Sequence, residues 1–210
     1  MTSRVRVALC ALVIAVLATS GHAQAGEKLQ FRGGFSFEFV PVEYPDGTNF
    51  FLNDQLLYGI LLGGEYTLFQ SNDLFALNAD LGINFSFNYS NFYGSQLFLQ
   101  TPLYLVAKVG AGATKYTDFP VGAALGVGLA YTFVNIPFST NQAVAEISRL
   151  KPSWVAPSAM AQLTLRTNQG TYGIRGHLNL SSFTENTTIE GFVVPLRYEN
   201  WGVGLVYTFE

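Results

Sequence analysis

A chain of 210 residues with a formal net charge of −3 and only 12% charged residues offers nothing to a nucleic acid, and it carries about half the roughly 25% charge of ordinary soluble domains. Apolar residues make up 49% of it, aromatics 15%, and 21 residues are glycine, yet no run approaches the roughly 20 apolar residues of a membrane-spanning helix. Strands must carry the apolar surface.

At the start of the chain, Arg4 and Arg6 precede an apolar run over 7–18 and then small residues ending in Ala23-Gln24-Ala25. This is the pattern of a secretory signal peptide. Cleavage is expected after Ala25, with Gly21-His22-Ala23 as a second point, so that 1–25 is a signal peptide and 26–210 a single domain. Cys10 is the only cysteine and leaves with the leader, which excludes disulfides, a thiolate nucleophile and a cysteine metal site from the domain.

Eight strands follow, predicted over 29–40, 55–69, 74–90, 96–109, 119–134, 154–167, 171–182 and 197–209. The third contains LNADLGINFSFNY, in which Leu77, Leu81, Ile83, Phe85 and Phe87 share one parity and Asn78, Asp80, Asn84 and Ser86 the other. Period two is a strand with one apolar and one polar face. Nearly all eight exceed the 9–11 residues that cross a bilayer at a tilt.

The links alternate. Those after the second and sixth strands, 70–73 and 168–170, read as tight polar turns; 41–54, 135–153 and 183–196 read as long loops, with 91–95 short and 110–118 longer than a turn should be. Outer-membrane barrels have short periplasmic turns and longer outer loops, which sets both termini on the periplasmic side. Aromatics then fall into two girdles. One comprises Phe31, Tyr66, Phe75, Phe119, Tyr172, Tyr207 and Phe209, and the other Phe39, Tyr58, Tyr89, Tyr131, Phe133, Trp154 and Trp201.

A lipocalin-like secreted barrel has the same strand count but turns its apolar parity inward. Its outer surface would here be Gly122, Ala124, Gly126, Gly128 and Ala130 in the fifth strand and Gly202 and Gly204 in the eighth. Small uncharged residues make a poor soluble surface and a good lining for an eight-stranded barrel, whose interior side chains nearly fill. The expected fold is therefore all-β: an eight-stranded antiparallel up-and-down transmembrane β-barrel. The inward parity also carries Arg32, Glu38, Glu65, Asp80, Lys108, Arg166 and Arg175. Both signs are present, so these residues read as a cross-lumen network, with a proton or ion pathway as the alternative.

Catalytic chemistry is thin. His177 is the only histidine outside the leader, which excludes a histidine-based metal cluster, and no phosphate-binding loop or nucleophile elbow is present. No cofactor is expected. The stretch His177-Leu178-Asn179-Leu180-Ser181 is weakly similar to the His and Ser of eight-stranded lipid A deacylases, which work from the lipid-facing side. Parity turns His177 inward beside Arg175, toward a hydrogen-bonding role.

In the first long loop Tyr44, Phe50 and Phe51 flank the turn signal Pro45-Asp46-Gly47; they are candidates for partner contact or for resting at the membrane interface. In the third, Ser139-Thr140-Asn141-Gln142 reads as a capping box before Val144, Ile147 and Leu150 at helical spacing. A short helix is expected there, with Arg149 and Lys151 beside it to meet lipopolysaccharide phosphates or simply as a solvated end.

The C-terminal Gly204-Leu205-Val206-Tyr207-Thr208-Phe209 resembles the signal by which the outer-membrane assembly machinery recognises bacterial barrels; Gly204, Tyr207 and Phe209 carry that resemblance. The stretch 99–108, LQTPLYLVAK, followed by 126–133, GVGLAYTF, resembles the porin-like outer-membrane β-barrel family common in Bacteroidetes and relatives, in which a proline-led apolar strand precedes a glycine-rich one. The resemblance implies a fold and a Gram-negative outer-membrane location, with outer-membrane lipids, lipopolysaccharide and the assembly machinery as partners. A structural or surface-interaction protein without catalysis is the expected function. A narrow channel is the second reading and a lipid A-modifying enzyme the third.

Overall fold

The computed structural model describes residues 29–43, 56–71, 74–90, 94–113, 117–138, 148–189 and 192–209. The expected leader lies outside them, as do Tyr44, Phe50 and Phe51. The described residues form twelve strands: β1 (Leu29–Phe39), β2 (Val42–Glu43), β3 (Leu57–Ser71), β4 (Phe75–Ser90), β5 (Gly94–Gly110), β6 (Val121–Phe138), β7 (Ser148–Leu150), β8 (Ser153–Thr167), β9 (Gly170–Asn179), β10 (Phe183–Ile189), β11 (Phe192–Tyr198) and β12 (Trp201–Phe209).

Eight of them form the barrel, each antiparallel to its neighbour, in the circuit β1, β3, β4, β5, β6, β8, β9, β12. It closes where β12 pairs with β1, from Phe31 opposite Phe209 to Phe39 opposite Trp201. Closure leaves no barrel strand with an unpaired edge, the condition for a sheet to sit in hydrocarbon. The proximal end carries Leu29 and Phe209; the distal end carries Phe39 and Trp201.

Alternation decides what each face meets. On β4, Asn78, Asp80, Asn84 and Ser86 are buried in the lumen while Leu81, Ile83, Phe85 and Phe87 are exposed. On β6 the small residues Gly122, Ala124, Gly126 and Ala130 point in, and Leu125 stands 68% exposed on the outside. The exposed apolar belt is the surface a bilayer covers. Aromatics mark its rims: Tyr172 and Phe209 each lie 4.9 Å from Tyr207 at the proximal end, and Phe39 stacks on Trp201 at 4.0 Å at the distal end.

Glycines on the inward parity make room for close neighbours, the Glu38 carboxylate at Gly202 and the β5 backbone at Gly128. Gly128 pairs with Tyr104, and a Cβ on it would stand 1.9 Å from the Leu103 carbonyl oxygen, whereas one on outward-facing Gly33 would meet nothing closer than 3.6 Å. Gly128→Ala should cost about 1–3 kcal/mol through backbone displacement. Gly33→Ala should fall within about 0.5 kcal/mol of wild type in the same urea titration in vesicles, as ordinary surface substitutions do.

The four remaining strands correct the sequence reading. Within 183–196, expected as a loop, residues 183–189 form β10 and 192–196 most of its partner β11, and Arg197 belongs to β11 rather than to the last barrel strand. Strand β2 extends that hairpin into a three-stranded sheet. Where a short helix was expected, Ser148–Leu150 is a strand, β7, paired with β6; the proposed capping box, Val144 and Ile147 lie outside the described residues. Trp154 is no girdle residue, because its parity turns it into the lumen, where it is 4% exposed.

Both ends of the lumen are closed among the described residues. Distally, Leu196 and Tyr198 of β11 pack with Val40, Leu57, Phe98, Val134 and Trp154 into one buried apolar cluster, and Phe183 stacks on Trp154 at 5.3 Å. Proximally, Gly110 and Gly112 take φ of 73° and 77°, the left-handed region glycine tolerates, and turn the chain back under the barrel. Ala111, Ala113 and Thr117 are buried there. Thr164 of β8, the strand beside β6, donates to the Ala111 carbonyl at 2.5 Å, which accounts for a link longer than a turn.

Candidate functional site

The lumen holds two polar layers. In the proximal one, five charged side chains from five strands meet: Arg32 (β1), Glu65 (β3), Asp80 (β4), Lys108 (β5) and Arg175 (β9). Register places them. Glu65 is paired with Asp80 across β3 and β4, and the inward parity of β1, β5 and β9 brings three cations onto those two carboxylates. Arg32 donates to Glu65 Oε1 at 2.7 Å and to both oxygens of Asp80, one at 2.5 Å. Arg175 donates to Asp80 Oδ2 at 3.0 Å and to Glu65 Oε1 at 3.4 Å, while its Nε donates to Gln162 at 2.7 Å. Lys108 completes the set with Glu65 and with the Gly112 carbonyl at 3.3 Å, tying the layer to the proximal floor.

The five side chains are at most 3% exposed. Charges this deeply buried are tolerable only when paired and hydrogen-bonded, and three cations against two carboxylates leave one formal positive charge. Arg166, also on the inward parity, stands apart: it is half-buried and donates to the Thr117 carbonyl at 2.5 Å.

The distal layer centres on Glu38. His177 Nε2 lies 3.0 Å from its Oε2, Asn200 donates to the same oxygen at 3.3 Å, and Asn84 donates to Oε1. Gln100 donates to Asn200 at 2.7 Å and Ser36 to Asn84 at 2.6 Å. Asn200 lies between β11 and β12, outside any strand, which is why alternation alone did not point to it. Arg32, Asn84, Gln100, Tyr104, Arg175 and His177 line a cavity of about 10 Å³, room for about one water.

Of the other residues singled out in the sequence, Gly204, Tyr207 and Phe209 lie on β12 with Gly204 inward and Phe209 exposed, and the Tyr207 hydroxyl donates to the Gln169 carbonyl. Lys151 is exposed at the distal end, next to the strand that carries Arg149. Beyond the barrel the β10–β11 hairpin presents Phe192 and Val193, 74% and 69% exposed.

No family model and no curated protein matches the chain. In structure it is similar to the outer membrane protein OprG from Pseudomonas aeruginosa, with a TM-score of 0.50 and 13% identity over 88% of this chain and 96% of that one. It is also similar to the attachment invasion locus protein Ail of Yersinia pestis, solved in complex with the heparin analogue sucrose octasulfate (TM-score 0.46, 11% identity, 87% and 99% covered). A third is the N-terminal β-barrel domain of Pseudomonas aeruginosa OprF (TM-score 0.46, 14% identity, 87% and 98% covered). The fold is that of the eight-stranded outer-membrane β-barrels.

Proposed function

We propose that the protein is a non-conducting, non-enzymatic barrel of a Gram-negative outer membrane, exported by its leader, which holds the β10–β11 hairpin at the cell surface for interaction with a partner. The observation that carries this reading is closure of the lumen at three levels: the distal apolar cluster, the two polar layers and the proximal turn. A water column would have to breach all three, and the middle one is a buried ion network that costs several kcal/mol to break.

Against catalysis stands the placement of His177, which is engaged with Glu38 inside the barrel rather than on the lipid face where a lipid A deacylase works. The belt outside takes acyl chains, Arg149 and Lys151 stand near lipopolysaccharide phosphates, and Gly204, Tyr207 and Phe209 serve the assembly machinery. Kinship with the porin-like Bacteroidetes-type family belongs to the same reading; the two stretches that resemble it are the adjacent strands β5 and β6.

The test is electrical. Purified barrel in a planar bilayer should show no steady conductance, and it should stay silent after Tyr198→Ala, because the two polar layers and the proximal turn remain. Long-lived openings in the wild type, with an ion selectivity altered by Lys108→Met, would establish the channel reading instead.

A further inference from the structure

The distal sheet runs in the order β10, β11, β2, so β10 has a partner on one side only; among the described residues no strand pairs with its other edge. A free edge strand is a template for another strand, and proteins that avoid such pairing guard the edge with lysine, proline or a bulge. The seven residues of β10, FTENTTI, hold none of these and only one charge, Glu185. Thr184, Glu185, Asn186 and Thr188 are exposed.

We propose that β10 pairs with β10 of a second copy of this chain, antiparallel and centred on Asn186, joining two barrels through one continuous sheet. This names the partner in the surface-interaction reading above and rests on it. The strand's own sequence argues for the occupant. Two copies of one strand pair about a two-fold axis perpendicular to the sheet, so the centre must fall on a residue. Centring on Glu185 would oppose two like charges, which destabilises a sheet. Centring on Asn186 sets Thr184 against Thr188, a favourable threonine pair, sets Glu185 against Thr187, and keeps all seven residues in register.

The membrane imposes a second condition. Two barrels in one bilayer are related by an axis along the membrane normal. The face of the hairpin that carries Leu196 and Tyr198 packs on lumen residues of β3, β5, β6 and β8, and the proposed pairing has this sheet lean over the mouth so that its perpendicular follows the barrel axis.

The test uses the full chain in a Cys10→Ala background, which removes the only cysteine, with single cysteines at Thr184, Asn186, Thr187 or Thr188. Opposed residues of an antiparallel pair lie about 4.5–5.5 Å apart at Cα, within disulfide reach. Thr184 and its own copy would be about 13 Å apart, four residues along the strand.

After mild oxidation of whole cells, Asn186→Cys should give about tenfold more disulfide dimer than Thr184→Cys or Thr188→Cys alone, which geometry excludes from bridging. Co-expressed Thr184→Cys and Thr188→Cys chains should cross-link to each other. A membrane-impermeant maleimide applied before oxidation reports whether the hairpin is displayed at all. Labelling of Asn186→Cys without preferential cross-linking overturns the homodimer and leaves the surface reading standing. Neither labelling nor cross-linking overturns both. Equal cross-linking at every position, or dominance of Thr187→Cys, also overturns the proposed pairing.

Discussion

Asp80→Ala should destabilise the barrel by about 3–5 kcal/mol, the cost of stripping one partner from a buried ion network. Asp80 accepts from Arg32 with both oxygens and from Arg175 with one. Without it three cations face Glu65 alone in a space that has room for about one water. Urea titration of the protein in lipid vesicles measures the loss as a lowered midpoint. Asp80→Asn should lose less, since the amide oxygen still accepts from one arginine. Replacing Arg32, Asp80 and Arg175 together by apolar residues of similar volume should recover much of the loss, because buried ion networks often exchange with packed hydrophobics at little cost. A loss below about 1 kcal/mol for Asp80→Ala would mean that water solvates the arginines. The lumen would then be wet and the channel reading would return.

Ile83→Arg should cost about 2–4 kcal/mol in the same titration, the penalty for a cation on the lipid face near mid-membrane. Ile83 sits midway along β4, 52% exposed on the outer apolar belt. The loss should shrink toward the rims, so that Phe75→Arg, at the proximal end of the same strand, should cost no more than about 1 kcal/mol. Equal tolerance at both positions would show that the outer face of β4 meets water, and would revive a soluble barrel.

The architecture was legible because alternation is local. A strand's parity needs no partner to be read, so the outward set on β4 and the small inward set on β6 follow from residue order alone. Trp154 was legible too, since its parity is that of Ser158 and Met160, but its place at a strand end drew it into the girdle. The hairpin was missed for a different reason. Thr184, Glu185, Asn186, Thr187 and Thr188 are polar on both parities, so β10 reads as loop; its pairing with the apolar β11 and the docking of Leu196 and Tyr198 on the lumen make it a strand.

By itself, the sequence determined that the strands number enough to close a barrel, which face of each meets lipid, and that charges of both signs turn inward. Only the tertiary structure decided which charges meet. Parity places a side chain inside but says nothing of its depth or of what stands across the lumen; those depend on the stagger between strands, summed around the closed circuit. Arg32, Arg175 and Lys108 thereby share two carboxylates, while Arg166, on the same inward parity, ends on the Thr117 carbonyl at the proximal floor. The closed mouths are non-local for the same reason. Residues 110–113 and 196–198 become floor and lid only where β8, distant from both in sequence, supplies Thr164 and Trp154.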